Sequence, residues 1–179
     1  MLKILIPGIE RYDEENNMFI TTQDTVIQVE HSLVSISKWE SKWNKPFLSK
    51  HEKTIEETID YVKCMTLTQN VKNEIYENLT NDNIDTISKY IAAPMTATSF
   101  NDNAQGKSNK IITSEIIYYW MISYNIPFEC QKWHLNRLLT LIRVCDTNNQ
   151  PKKKMSKAEI MNRNKNLNAI RKQQLNTKG

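Results

Sequence analysis

The segment Thr113–Cys145, TSEIIYYWMISYNIPFECQKWHLNRLLTLIRVC, decides the fold, because it holds the longest apolar pattern with helical spacing in the chain. Its first half predicts a helix that has Thr113 or Ser114 as its N-cap. Asn125-Ile126-Pro127 ends that helix, since a proline disfavours α geometry in the residue before it. The second half predicts another helix from Phe128 to Cys145. The apolar faces of the two helices are Ile116, Ile117, Trp120, Met121 and Tyr124, and then Leu135, Leu138, Leu139 and Ile142.

Two amphipathic helices with a short joint form a helical hairpin, in which each helix buries its apolar face on the other. A DNA-reading helix-turn-helix has the same outline, but a core helix pair is the commoner interpretation. Trp120 is the tryptophan expected to matter most to stability, since Trp39 and Trp43 lie in a more polar helix. The predicted core residues are Trp120, Met121, Leu135, Leu138, Leu139 and Ile142.

Upstream of this segment, the pattern changes from strands to helices. Alternating and β-branched residues predict strands at Leu2–Ile6, Met18–Thr21 and Thr25–Glu30, arranged as a small antiparallel sheet or meander. A polar turn is expected at Asp13–Asn17.

Helical spacing begins at Ser32. The first predicted helix carries Leu33, Ile36, Trp39 and Trp43 on one face, with Glu40 on another, and ends before Pro46. The second, Thr54–Met65, opens with a Thr54-x-x-Glu57 capping box and has Ile55, Ile59 and Val62 as its apolar residues. A short helix at Val71–Leu79 and another at Ile84–Ile91, capped by Asn81 or Asp82, precede a polar loop at Thr96–Asn109.

The predicted fold class is therefore α+β and mostly α-helical, with a small N-terminal antiparallel sheet followed by about six helices. One globular domain spans residues 1–148, with the sheet in 1–30 and the helices in 31–148. Asp146–Pro151, DTNNQP, is predicted to end the preceding helix before a basic helical tail, 149–179. In the tail, Ser156-x-x-Glu159 is a capping box that opens a last helix, which reaches about Gln174.

Residues that could carry catalysis do not form a recognisable set. Cys130 and His134 stand four positions apart on a predicted helix, but zinc needs two further ligands, and Cys64, Cys145, His31 and His51 are scattered. The odd number of cysteines without a CxxC motif predicts free thiols. Glu56, Glu57 and Asp60 are read as a solvated helix face rather than an acid–base pair. We therefore expect a protein that is not an enzyme and that needs no cofactor or metal.

Charge is divided unevenly along the chain. The whole chain carries +4, but nine basic residues and one acidic residue follow Asn149, so this part carries +8 and the rest −4. A basic segment of this kind can neutralise phosphates or meet an acidic protein partner. The tail has no aromatic residue for stacking on bases. The residues expected to bind a partner are Lys152, Lys153, Lys154, Lys157, Arg163, Lys165, Arg171 and Lys172.

Several runs together resemble one group of bacteriophage proteins. They are HSLVSISKWESKWNKPF, ETIDYVKCMTLTQNV, IAAPMTATSF, the segment Glu115–Cys145, and PKKKMSKAEIMNRN. In these runs the chain resembles the proteins encoded in the tail-gene cluster of long-tailed phages and treated as tail assembly chaperones.

The resemblance implies a non-enzymatic helper that binds the tape measure protein, the major tail protein, or both while the tail is assembled. It places the protein in the cytoplasm of the bacterial host or on the virion, and it allows self-association. Two alternatives stay open: a nucleic-acid-binding protein that uses the basic tail, and a structural tail or connector subunit. No stretch of the sequence is long and apolar enough to predict a membrane span.

Overall fold

The computed structural model describes residues 1–13, 17–100, 111–149 and 156–176. The predicted α+β, mostly helical fold is confirmed: an N-terminal antiparallel pair of strands precedes six α-helices in the described residues. The chain divides into two compact units, Met1–Asp146 and Thr147–Gly179. The strands are β1 (Leu2–Ile6), β2 (Glu10–Asp13), β3 (Met18–Thr21) and β4 (Thr25–Val29). The helices are α1 (Leu33–Trp43), α2 (Ile55–Met65), α3 (Asn81–Ala92), α4 (Ser114–Ser123), α5 (Leu135–Asn149) and α6 (Lys157–Leu175).

The four strands form one nested hairpin rather than a meander. β1 pairs with β4, from Leu2 opposite Val29 to Ile6 opposite Thr25. Within that pair, β2 lies against β3, from Glu10 opposite Thr21 to Asp13 opposite Met18. The sequence prediction omitted β2, because its charged residues do not alternate with apolar ones. It is held as a strand by its pairing with β3.

Residues 7–9 and 22–24 connect the two strand pairs, and Gly8 allows these two connecting segments to lie close together. Its N–H donates to Asp24 Oδ1 at 2.7 Å, and the Thr22 N–H donates to the Ile9 carbonyl at 2.9 Å. A Cβ atom at position 8 would lie 2.2 Å from the Thr22 carbonyl oxygen. Only glycine therefore fits the close approach of the two chain segments at this point.

The inner face of the hairpin belongs to a core that the first helices complete. Ile4, Ile6, Ile27 and Val29 are buried, while Leu5 and Val26 on the opposite face are exposed. From α1 and α2 the core takes Leu33, Ile36, Trp39, Tyr61, Val62 and Met65. The prediction for Ile55 was wrong. As the first residue of α2 it is 81% exposed, and Met65 at the other end of the helix is buried instead.

The second half of the central segment is not one helix, which corrects the prediction of a helix from Phe128 to Cys145. A 3-10 turn covers Phe128–Lys132, Trp133 is extended, and α5 begins only at Leu135. The helix is interrupted because this stretch pairs with the start of α1. His134 forms an antiparallel bridge with Ser32, and the Leu135 N–H donates to the His31 carbonyl at 2.7 Å.

The predicted core of the central segment is buried only in part. Met121, Leu135, Leu138 and Ile142 are buried, whereas Trp120 and Leu139 are half-buried at the edge of the core. Trp39 is the deeply placed tryptophan: it is 2% exposed, and its indole N–H donates to the Glu57 carbonyl at 2.9 Å. The expected order is therefore wrong for Trp39, which is more buried than Trp120, whereas Trp43 is half-buried like Trp120. α4 is apolar around most of its circumference, so periodicity alone does not show which side faces the core.

Other boundaries shift by a few residues for local reasons. Thr80, rather than Asn81 or Asp82, caps α3, and Asn83 completes the capping box. The short helix predicted at Val71–Leu79 is a 3-10 turn at Asn73–Asn78. The expected breaker at Asp146–Pro151 does not end α5 before Asn149, and its last two residues lie outside the described residues. Most of the predicted loop Thr96–Asn109 also lies outside them.

Trp39→Ala should destabilise the protein by about 3–5 kcal/mol, because it removes a buried aromatic ring and an indole hydrogen bond. Trp120→Ala should cost clearly less, because this side chain is half-buried. Urea unfolding of both variants, followed by far-ultraviolet circular dichroism, measures the two free energies. A larger loss for Trp120→Ala would contradict this placement of the core.

Candidate functional site

Helix α6 is the part of the described chain most exposed to a partner. Its start is well defined: the Glu159 N–H donates to Ser156 Oγ at 3.2 Å, and the Ser156 N–H donates to Glu159 Oε2 at 2.7 Å. None of its residues is buried. Its exposed apolar side chains are Ile160, Met161, Leu167, Ile170 and Leu175. Its basic side chains are Lys157, Arg163, Lys165, Arg171 and Lys172, while Lys152, Lys153 and Lys154 lie outside the described residues.

A cleft of about 520 Å³ lies on the first unit, between α1, the loop that follows it and the start of α2. Its wall includes Trp39, Pro46 and Ile111, together with the charged side chains of Lys45, Lys53 and Glu57. The sequence did not predict this cleft, because its shape depends on how α1, the loop that follows it and α2 pack together.

Glu57 is one of the charged residues that line this cleft. Its carboxylate accepts from Lys45 Nζ at 2.5 Å and from the Thr54 N–H at 2.9 Å, which completes the predicted capping box. The hydrogen bond from Lys45, and then that from Thr54, hold the pKa of Glu57 below its usual value. The prediction of a solvated face was wrong for Glu57, which is 3% exposed and is bonded to Lys45 from the loop after α1.

Asp60, one turn further along α2, is also buried rather than solvated. Its carboxylate accepts from Lys42 Nζ and from the Trp43 indole N–H, the latter at 2.9 Å. Burial acts to raise the pKa of Asp60, but the hydrogen bonds from Lys42 and Trp43 outweigh it, and the pKa is lowered. Glu56 alone of the three acidic residues is exposed. Glu57 and Asp60 therefore tie α2 to α1 and its following loop.

Glu40 connects three segments of the first unit, although the sequence placed it away from the core. One carboxylate oxygen accepts from the Phe47 N–H at 2.8 Å, and the other accepts from the Ser114 N–H at 2.8 Å. All three residues are buried. Glu40 thus satisfies two buried backbone donors, in the loop after α1 and at the start of α4.

A cluster of histidines and tyrosines lies at the bridge between residues 32 and 134. His31 Nδ1 lies 2.5 Å from Tyr61 Oη, and the rings of His31 and His134 meet edge to face with centroids 5.1 Å apart. His134 Nε2 donates to the Tyr90 carbonyl at 3.0 Å, and the Tyr90 hydroxyl donates to Glu30 Oε1 at 2.7 Å. Burial, assisted by the nearby His134, lowers the pKa of His31 to about 3. The cluster is buried and internally bonded, and it acts in holding the fold together.

Cys130 and His134 do not share a helical face, because the chain is extended between the 3-10 turn and α5. All three cysteines are free, as their spacing predicted. Cys130 is buried, Cys64 and Cys145 are half-buried, and burial raises the pKa of Cys64. Within the described ranges, no three His, Cys, Asp or Glu side chains are grouped so that they could hold a metal ion.

We compared the chain with known protein families, with curated proteins and with solved structures, and none of the three comparisons found a match. Among the described residues, no helix combines the length and the apolar composition that crossing a bilayer requires.

Acid should destabilise the protein through His31. Its folded-state pKa of about 3 lies below the ordinary 6.5, so the unfolded chain binds more protons between these values. Its contribution to stability is complete above about pH 6.5 and is lost as the pH falls towards 3, by up to about 1.4 kcal/mol per pH unit. Urea unfolding at about pH 7, 6 and 5 measures how the unfolding free energy changes with pH. These pH values lie above the range in which carboxylates protonate.

His31→Asn removes the titrating ring and leaves an amide that can bond to Tyr61, so the slope should become shallower. His51→Gln, at an exposed histidine, is the matched control and should keep the wild-type slope. Equal slopes in wild type and His31→Asn would contradict the assignment.

Glu40→Ala should cost at least about 2 kcal/mol, because it leaves two buried N–H groups without an acceptor. Lys38→Ala, at an exposed position of the same helix, should change the unfolding free energy by less than about 0.5 kcal/mol. Chemical denaturation of both variants gives the comparison. An equal effect of the two substitutions would show that Glu40 does not join the three segments.

Proposed function

We propose that this protein is a non-enzymatic tail assembly chaperone that binds the tape measure protein, the major tail protein, or both through helix α6. The observation that carries the proposal is that α6 is capped at its start, buries no residue, and still presents apolar side chains among basic ones. The identity of the partner follows the family resemblance, and the mode of binding follows the chemistry of the helix.

The energetics of α6 favour a role in binding. The four asparagines of α6 weaken it as an isolated helix, and most helices gain their stability by burying one face. Ile160, Leu167 and Ile170 follow one another at spacings of seven and three residues, which places them on one side of the helix. An apolar groove with acidic edges would cover these residues and pair with the flanking Lys and Arg side chains.

A nucleic-acid-binding protein is the second candidate, and the five basic residues of α6 support it. Binding of that kind would depend on the charges and would fall steeply with salt. It would not depend on Ile160 or Leu167, since phosphates make no use of apolar side chains. The two functions can therefore be separated by changing the apolar and the basic residues independently.

A chain that ends at Asn149 should keep a cooperative melt and lose its affinity for the tail partner. The melt should persist because the buried core lies within the first unit, Met1–Asp146. Circular dichroism and co-purification with the tape measure and major tail proteins measure the two properties. Loss of the cooperative melt would show that the removed residues belong to the core and would contradict the placement of the binding surface.

Two substitution pairs in the full chain test the chemistry of binding. Ile160→Gln with Leu167→Gln should weaken partner binding and leave retention of duplex DNA unchanged. Lys165→Gln with Lys172→Gln keeps the apolar face and serves as the matched pair. If only the lysine pair matters, and DNA retention falls with it, the nucleic-acid function replaces the chaperone function.

A further inference from the structure

The wall of the cleft on the first unit includes the ammonium group of Lys53. Lys53 is half-buried on the wall, and its Nζ donates to the Phe47 carbonyl at 2.9 Å. The same Nζ lies 4.2 Å from the centroid of the Phe47 ring and 5.8 Å from that of Trp39. Among the described residues Lys53 forms no salt bridge, whereas Lys42 and Lys45 each do. An ammonium group has three donors, so Lys53 keeps capacity for an acceptor in the cleft.

The nearby carboxylate of Glu57 is not the acceptor that Lys53 Nζ could still bind. One of its oxygens accepts from Lys45 and the other from the Thr54 N–H. Glu52 also lines the cleft, but its side chain is exposed. Burial lowers the pKa of Lys53, and the charge of Glu57 only partly opposes it. The ammonium is therefore less well solvated than a surface lysine and gains more from a bound anion.

We propose that this cleft binds a carboxylate side chain of a partner peptide, with a neighbouring apolar side chain of that peptide against Pro46 and Ile111, the accessible apolar residues of its lining. The carboxylate accepts from Lys53 Nζ, and the apolar group is covered by the Pro46 ring and the Ile111 side chain. The surface is distinct from α6, so this inference goes beyond the proposed function and does not depend on it.

The charges of the cleft favour a single carboxylate over a phosphate. Lys45 and Lys53 are balanced by Glu52 and Glu57 on the same wall. The two carboxylates repel a dianion more strongly than a monoanion, and a monoanion can accept from Lys53, whose ammonium forms no salt bridge among the described residues. The volume of about 520 Å³ is within the range of ligand sites and suits two or three side chains.

The test uses the full chain and two short capped peptides, acetyl-Leu-Asp-Leu-amide and its neutral counterpart acetyl-Leu-Asn-Leu-amide. Binding is followed by the indole and backbone amide signals in two-dimensional NMR. The acidic peptide should shift the Trp39 indole signal and saturate, and the neutral peptide should bind at least about tenfold more weakly. Lys53→Met, which keeps the alkyl chain over the rings, should weaken binding of the acidic peptide to the same extent.

Lys50→Met, at an exposed lysine three residues earlier, is the matched control and should bind like the wild type. Melting curves establish that both variants are folded. Equal binding of the two peptides, or unchanged binding in Lys53→Met, would overturn the proposal, as would the absence of any shift at millimolar peptide. A response to inorganic phosphate equal to that of the acidic peptide would also overturn it, because the cleft would then not select a single carboxylate.

Discussion

The pairing of residues 31–32 with residues 134–135 is the constraint on which the first unit depends. The Leu135 N–H donates to the His31 carbonyl, and Ser32 and His134 form a bridge. This short stretch of strand pairing fixes where α1 and α5 begin. It also brings together the His31, Tyr61 and His134 side chains and, through the Tyr90 carbonyl, the end of α3. Asn136 extends the same junction, because its side chain donates to the Ile91 and Ala93 carbonyls.

Buried carboxylates form the second set of connections between segments, and each of them is hydrogen-bonded. Glu40 accepts from two buried backbone N–H groups, and Glu57 accepts from one N–H group and from Lys45. A buried charge is tolerated when its oxygens are hydrogen-bonded. Because Glu40 and Glu57 bond to groups of α1, α2, α4 and the loop after α1, they hold these segments around the cleft in place. Lys53 Nζ, which donates to the Phe47 carbonyl, keeps donors for a further acceptor.

Features that depend on neighbours in sequence were predictable, and features that depend on distant residues were not. The capping boxes at Thr54 and Ser156 and the apolar face of α1 are local, and the structure contains them. The interruption before α5 could not be read from residues 128–145, because Ser32 causes it. Burial of Glu40, Glu57 and Asp60 depends on donors from other segments. The basic character of α6 was visible in the composition, whereas the cleft required the packing of α1, α2 and the loop between them.

The nested hairpin and the bridge at His134 have a consequence for the order in which the chain folds during synthesis. β1 and β4 can pair as soon as Val29 is made, and α1 and α2 can follow. The carbonyls of His31 and Tyr90 must wait for Leu135 and His134, so closure of the first unit comes late and bridges a long loop. Most of the first unit is therefore synthesised before the unit can close. During that interval the apolar residues of the unfinished core are open to other chains.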